Sequence, residues 1–355
     1  MIGKTKVLIV DDSVSVQNVL RKILSGDPEI EVIGTATDPY EAVSKIAEIL
    51  PDVITLDIEM PRMDGLTFLS KLMKQHPIPV VVISSFADET SDKGIRALKL
   101  GAKEIIPKPK HATLEALDEY SIKIIDAIKA AALSNKRAGI LVKPGKISSQ
   151  HISANLASDT SLFNERKASQ KLILIGASTG GTEVISKMLK GLRKDLPGIL
   201  VVQHMPGEFT RAFASRLNSE CELLVKEAEN DDIVRDGCVY IANGFNHLTT
   251  VSENGYFKCK LEIGALVNRH RPSVDVLFSS AVNFQAENIV AVLLTGMGAD
   301  GARGLLELNN KGVRTFAQDE KSCVVFGMPK EAIKLDAAQK VGSPDDLINW
   351  LNSIF

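Results

Sequence analysis

Cysteine is scarce in this sequence. Its 355 residues hold four thiols, Cys221, Cys238, Cys259 and Cys323, and no C-x-x-C pair. Such spacing gives neither a zinc nor a redox motif, and reduced thiols in a cytosol are the expectation. Net charge is nearly absent too: Lys+Arg 42 against Asp+Glu 44 leave −2. No global basic field exists to hold nucleic acid or an anionic membrane surface. Long apolar runs are missing. MIGKTKVLIVDD meets two aspartates after four apolar residues, too short for a signal-peptide core. Stretches such as 289–294 fall far below the ~18 residues of a membrane span. No direct membrane insertion and no nucleic-acid partner are therefore expected. What remains is 45% apolar and 24% charged, the composition of a packed globular chain. At ~150 residues per domain the length suits about two domains and a connector.

Residues 1 to about 130 alternate short apolar runs (7–10, 31–36, 53–56, 80–83, 103–106) with segments carrying apolar residues at helical spacing, and a charged helix is expected over 112–132. Five β-then-α units predict a parallel, doubly wound sheet. Between 135 and 170 the periodicity weakens; six serines appear, and basic residues outnumber acidic ones six to two. This reads as a flexible linker. From Lys171 a second α/β alternation begins, with strands expected at 172–175, 199–203, 239–242 and 289–294, and helices at 183–191, 210–217, 273–282 and 301–309. The division is 1–130, a linker over 131–170, and 171–355. The fold class is α/β: two doubly wound parallel-sheet domains, the first flavodoxin-like and the second Rossmann-like.

In the first domain Asp11 and Asp12 end the first strand and Asp57 ends the third. For sheet order 2-1-3-4-5 these strands flank the switch point where ligands bind. Three converging carboxylates repel one another unless a hard divalent cation such as Mg²⁺ joins them, and that cation can recruit phosphate oxygens. Ser84 at the end of the fourth strand and Lys108 after the fifth add a hydroxyl and a cation for a phosphoryl group. A flavin site is disfavoured, because two carboxylates after the first strand would repel its phosphate.

The set Asp11, Asp12, Asp57, Ser84 and Lys108-Pro109 resembles the receiver domain of response regulators. The resemblance implies that Asp57 accepts phosphate from a histidine kinase. It implies that Asp11, Asp12 and Asp57, with the Glu59 carbonyl, hold Mg²⁺, that Ser84 and Lys108 sense the phosphoryl group, and that the Lys108-Pro109 bond is cis. Ile105 stands where many receivers carry an aromatic switch residue.

In the second domain Gly176-Ala-Ser178-Thr-Gly180 fits G-x-S-x-G, a sharp elbow exposing a serine beside a helix start. A dinucleotide loop fails here: position 178 is serine, and the next strand ends Gln203-His204 without an acid. A serine of ordinary pKa needs a base. His204 ends the neighbouring strand and is the expected one, with His247 and His270 as remaining possibilities. Asp300 follows another buried strand and suits the orienting carboxylate. Met297, in a Gly-Met-Gly turn, offers a backbone N–H for an oxyanion. The order Ser178, His204, Asp300 differs from that of α/β-hydrolases, so the scaffold is a different one.

The segments 204–218 (HMPGEFTRAFASRLN), 271–278 (RPSVDVLF), 293–306 (LLTGMGADGARGLL) and 317–329 (AQDEKSCVVFGMP) closely resemble the catalytic domain of chemotaxis protein-glutamate methylesterases. The resemblance implies a phosphorylation-activated serine hydrolase that demethylates chemoreceptor glutamate methyl esters and deamidates selected glutamines. It implies a cytoplasmic protein recruited to receptor arrays, with chemoreceptors as substrate and a chemotaxis histidine kinase as phosphodonor. Ser178, His204 and Asp300 match the family triad, Thr179 and Met297 match its active-site residues, and ester hydrolysis itself is expected to need no cofactor. Two other classes compete: a binding module with an inert second domain, against which the complete triad argues, and a transcription regulator, for which no recognition-helix pattern or basic patch appears after residue 170.

Overall fold

The central strands of the first unit are short buried runs, which is the pattern of a sheet covered by helices on both faces. In the computed structural model, which describes residues 4–60, 63–84, 91–108, 114–137 and 160–355, the elements run β1 (Thr5–Val10), α1 (Val14–Ser25), β2 (Ile30–Ala36), α2 (Pro39–Glu48), β3 (Val53–Leu56), α3 (Gly65–Gln75), β4 (Val80–Ser84), α4 (Ser91–Lys99), β5 (Glu104–Pro107) and α5 (Leu114–Arg137). The sheet order is β2-β1-β3-β4-β5 with every pairing parallel, as the alternation predicts. Helix starts are written locally. Ser13 caps α1, Asp38 caps α2 and Asp64 caps α3 through side-chain oxygens that accept backbone N–H groups. The α1 cap is thus Ser13, which leaves Asp12 free of that task.

The second unit begins inside the stretch read as linker. Helix α6 (Thr160–Asn164) sets Phe163 against Tyr240, ring centroids 6.4 Å apart. Ser169 N–H donates to the Val234 carbonyl at 2.8 Å, and its hydroxyl accepts Gly198 N–H at 3.1 Å. Helix α5 meanwhile runs to Arg137, five residues past the expected end. Then follow β6 (Leu172–Ala177), α7 (Gly181–Gly191), β7 (Gly198–Gln203), α8 (Gly207–Glu220), β8 (Leu224–Glu227), β9 (Cys238–Ile241), β10 (His247–Glu253), β11 (Tyr256–Glu262), α9 (Val274–Ser280), β12 (Ile289–Leu293), α10 (Ala302–Asn310), β13 (Arg314–Gln318), α11 (Met328–Lys334), β14 (Lys340–Gly342) and α12 (Pro344–Ile354). Seven strands form one parallel sheet, β14-β13-β12-β6-β7-β9-β8. Its direction of travel reverses at β6, so loops leaving β6, β7 and β12 open at one switch point.

The antiparallel pair β10–β11 goes beyond the expected alternation. Its two-residue turn, Asn254-Gly255, has φ of 52° and 80°, the mirror-image turn that suits strand twist. The apolar core β6–β7–β12 is completely buried. Among the described residues no helix is long and apolar enough to cross a membrane.

The two units share one apolar cluster. Helix α4 lies against α8 so closely that a Cβ at Gly94 would fall 2.3 Å from the Phe209 ring. The face of the first unit made by α4, β5 and α5 is therefore turned toward the strand ends of the second.

Candidate active site

The acid pocket assembles as the strand order requires. Asp11 and Asp57 are buried, Asp12 is exposed, and one ligand oxygen from each lies within 4.8 Å of the others. Strand β5 registers on β4 with Ser84 opposite Pro107, and Lys108 N–H donates to the Ser84 carbonyl at 2.9 Å. That register delivers Lys108 Nζ to 2.7 Å from Asp11 Oδ2 and 2.6 Å from Asp57 Oδ2. Burial raises the Asp11 pKa even against the pull of Lys108. Burial works to lower the Lys108 pKa, but the two carboxylates outweigh it and the net shift is upward. Ser84 is wholly buried, and its Oγ has no hydrogen-bond partner among the described residues. Glu59 N–H donates to Asp57 Oδ1 at 3.1 Å. Hard carboxylate oxygens, one carboxylate open to solvent and an unpaired buried hydroxyl suit a divalent cation with a phosphoryl group. The Lys108-Pro109 bond lies outside the described residues, which end at Lys108 here.

At the second site the ladder continues past the strand ends and fixes the register of the chemistry. Ala177 pairs with Gln203 on β7; His204 N–H then donates to the Ala177 carbonyl at 3.0 Å, and Ser178 N–H to the Thr295 carbonyl at 3.0 Å. Gln203 Nε2 ties the Ser178 and His204 carbonyls together at 2.9 and 3.1 Å. Space is the reason for the glycines. A Cβ at Gly296 would fall 2.7 Å from the Ser178 Cβ, and one at Gly176 would fall 2.2 Å from Val274. Gly180 and Gly298, at φ of 81° and 80°, follow Thr179 and Met297 respectively, and both of those residues line the same cavity as Ser178. The 317–329 segment buttresses the Met297 turn: Thr295 N–H reaches Gln318 Oε1 at 2.8 Å, and Met328 N–H reaches the Gly296 carbonyl at 2.8 Å.

Asp300 is the best-held carboxylate in this unit. Its Oδ2 faces His204 Nε2 at 2.8 Å and accepts Val274 N–H at 2.7 Å. Its Oδ1 accepts from Ser273 Oγ at 2.7 Å, Asn268 Nδ2 at 2.7 Å and Asp275 N–H at 3.2 Å. Asp300 is thus bound by the start of α9 and does not cap α10. Burial alone would raise its pKa; His204, Asn268 and Ser273 overcome that and hold it well below the ordinary carboxylate range. An ionised carboxylate can only accept, so Nε2 of His204 carries a proton, and in the neutral ring Nδ1 is the nitrogen with the lone pair. Nδ1 is buried and has no hydrogen-bond partner among the described residues.

His247 is structural. Its Nδ1 accepts Ser273 N–H at 3.2 Å and its Nε2 faces the Ala265 carbonyl at 2.9 Å. His270 stacks on His204, ring centroids 3.7 Å apart and planes 13° from parallel. Sequence reasoning missed Asn268 and Ser273; Ser273 lies in a quoted motif, but nothing local points it at Asp300.

A cavity of about 310 Å³ separates the units. Ser178, Thr179, His204, His270 and Met297 line one side, and Glu104, Ile105, Lys123 and Asp126 of the first unit line the other. Thr179 Oγ1 donates to Glu104 Oε2 at 2.9 Å. Ile105 is buried here, so the residue in the switch position faces the serine site.

A family model described as CheB methylesterase matches residues 173–351, and one described as response regulator receiver domain matches residues 7–117. The chain is 49% identical over 352 residues to the protein-glutamate methylesterase/protein-glutamine glutaminase of group 3 operon of Rhodopseudomonas palustris, covering 98% of this chain and 96% of the relative. It is 49% identical over 343 residues to protein-glutamate methylesterase/protein-glutamine glutaminase 5 of Anaeromyxobacter dehalogenans, covering 95% and 92%. Among solved structures, the catalytic domain of the Thermotoga maritima CheB methylesterase is similar at 39% identity and a TM-score of 0.51, covering 52% of this chain and 98% of that one.

Proposed function

The chain belongs to the CheB methylesterase family, with a response regulator receiver domain in front, and on that premise we propose how its residues divide the work. It is a protein-glutamate methylesterase with protein-glutamine glutaminase activity, acting in chemosensory adaptation by demethylating and deamidating chemoreceptors.

Ser178 is the nucleophile. Its Oγ attacks the γ-carbonyl of a receptor glutamate methyl ester while His204 Nδ1 takes the hydroxyl proton. Backbone N–H groups at Thr179 and Met297 receive the developing oxyanion. His204 returns the proton to the leaving methoxide, giving methanol, or to the leaving amide nitrogen, giving ammonia, when the substrate is glutamine. Water then attacks the acyl-enzyme, its proton passes through His204 back to Ser178, and the glutamate carboxylic acid ionises on release. Asp300 orients the ring and balances its charge throughout. The observation that carries this reading is the His204–Asp300 contact at 2.8 Å through Nε2, which leaves Nδ1 as the free base at the strand end beside Ser178. Labelling by a fluorophosphonate tests it: the modified peptide is expected to carry the adduct on Ser178, and an adduct elsewhere removes Ser178 as nucleophile.

Asp57 is the phosphorylation site, with a chemotaxis histidine kinase as phosphodonor. Asp11, Asp12 and Asp57, with the Glu59 carbonyl, would hold Mg²⁺, which supplies charge neutralisation for phosphoryl transfer when bound. Ser84 and Lys108 sense the phosphoryl group. The covered cavity supports inhibition by the unphosphorylated receiver: Glu104 on Thr179 and α4 on α8 keep a receptor helix from the serine. Phosphorylation biases the receiver away from that contact, and a ten- to hundredfold switch needs only about 1.4–2.8 kcal/mol. The substrate places the enzyme in the cytoplasm at receptor arrays. The units divide near the 131–170 segment, with Phe163 and Ser169 packed on the catalytic unit.

A further inference from the structure

His270 is a half-buried aromatic that neither triad chemistry nor the motif reading uses, and the chain goes to some lengths to place it. Val267 and His270 pair across a tight turn, N–H to carbonyl at 3.1 and 2.9 Å. The two residues between them, Asn268 and Arg269, have φ of 51° and 68°. Two successive left-handed residues without a glycine cost backbone energy and persist only where the surroundings enforce them. The surroundings here do so. Asn268 Nδ2 donates to Asp300 Oδ1 at 2.7 Å and to Asp275 Oδ2 at 2.6 Å. Arg271 Nη1 ties the following residue to the Gly264 carbonyl at 2.7 Å. The turn thus delivers one side chain to each member of the His204–Asp300 pair: an amide to the carboxylate and a ring to the imidazole.

We propose that His270 is a positioning residue for His204, its ring lying flat against the base, holding the plane that joins Asp300 to Ser178 and excluding water from that face. This rests on the reading of His204 as general base. A ring held by one hydrogen bond at Nε2 can still swing about that bond, and swinging carries Nδ1 out of line with the serine hydroxyl. A second ring at 3.7 Å and 13° blocks that motion on one side. It also presents a π face to the cation that forms when Nδ1 takes the proton. The role requires a neutral His270, since a second cation at that distance would repel the first. The groups facing it are His204, Asp300, Arg269 and, from α5, Lys123. Burial first and the His204 charge second hold its pKa far down, with Lys123 and Arg269 adding to them against Asp300.

The test uses the full chain with a saturating phosphodonor and methylated receptor membranes, comparing His270→Ala, His270→Leu and His270→Phe. Misplacing a reacting group by ~1 Å costs about a hundredfold, so Ala and Leu are expected to lower kcat roughly ten- to hundredfold while KM stays within about twofold. Phe restores the flat face without a titratable nitrogen and is expected to recover most of that loss. If Ala does not fold, as shown by thermal unfolding, the Leu–Phe contrast carries the decision. A kcat near wild type in Ala or Leu, a loss confined to KM, or a Phe variant no faster than Leu each overturns the proposal. His204→Gln, measured alongside, separates the underlying reading: substantial hydrolysis by that variant rejects the base itself, whichever way the His270 series falls.

Discussion

Replacing Glu104 by Gln should tighten the closed form of this enzyme, and the structure gives both sign and ceiling. Glu104 opens β5 and places its carboxyl between the two units, where Thr179 Oγ1 donates to it at 2.9 Å. Burial raises its pKa from 4.5 to about 7; Asp126 pushes the same way, while Thr179 and Lys123 pull back. The docked carboxyl therefore keeps a proton that it would lose near pH 4.5 in water. Docking takes up protons, so its full strength is present below about pH 4.5 and is lost progressively as pH rises to about 7. Were all of that burial due to docking, the loss would reach at most about 3 kcal/mol, ~300-fold in the docking constant. Glu104→Gln keeps an acceptor for the Thr179 hydroxyl and has no proton to lose. The assay is methanol release without phosphodonor, divided by the phosphodonor-saturated rate at the same pH. The wild-type ratio is expected to rise between pH 5.5 and 7 and then level. The Gln variant should stay flat and fall about tenfold or more below wild type at pH 8. Equal ratios at pH 8, or a wild-type ratio that falls as pH rises, would refute the reasoning.

Two further outcomes follow from the same contacts. Asp300→Asn places an amide where five donors converge on an acceptor-only group; kcat should drop ~10³–10⁴-fold, and thermal unfolding should show a loss of about 1–3 kcal/mol from the unpaired donors. Gly94→Leu drives a side chain into the Phe209 ring; basal methanol release should rise toward the activated rate while the phosphodonor-saturated rate stays put.

The strand-end placement of the candidate residues was legible because parallel sheets put such residues in a fixed place. DD after β1, Asp57 after β3, Ser84 as the last residue of β4, Ser178 after β6 and His204 after β7 all follow buried apolar runs, and pleat and register do the rest. The β10–β11 hairpin carried its own signal in Asn254-Gly255 between alternating strands, yet the βα alternation around it masked that signal. Asn268 and His270 had no such signal. Their roles depend on a left-handed turn held through Asp300, Asp275 and Gly264, and those partners are distant or across the loop. His247 stood in sequence as a remaining possibility behind His204; the two backbone groups bound to its ring nitrogens give it a structural place. The particular residues that make the contact between units were likewise invisible, since Gly94, Glu104 and Phe209 are ordinary residues of their own helices and strand.

The most direct measurement is initial methanol release from methylated receptor membranes by wild-type, Ser178→Ala and Asp57→Asn proteins, each with and without a phosphodonor. The account predicts low release by wild type that rises at least tenfold with the phosphodonor, release by Asp57→Asn that does not respond, and none above background from Ser178→Ala. Hydrolysis near the wild-type rate by Ser178→Ala, or full activation of Asp57→Asn by the phosphodonor, would contradict it.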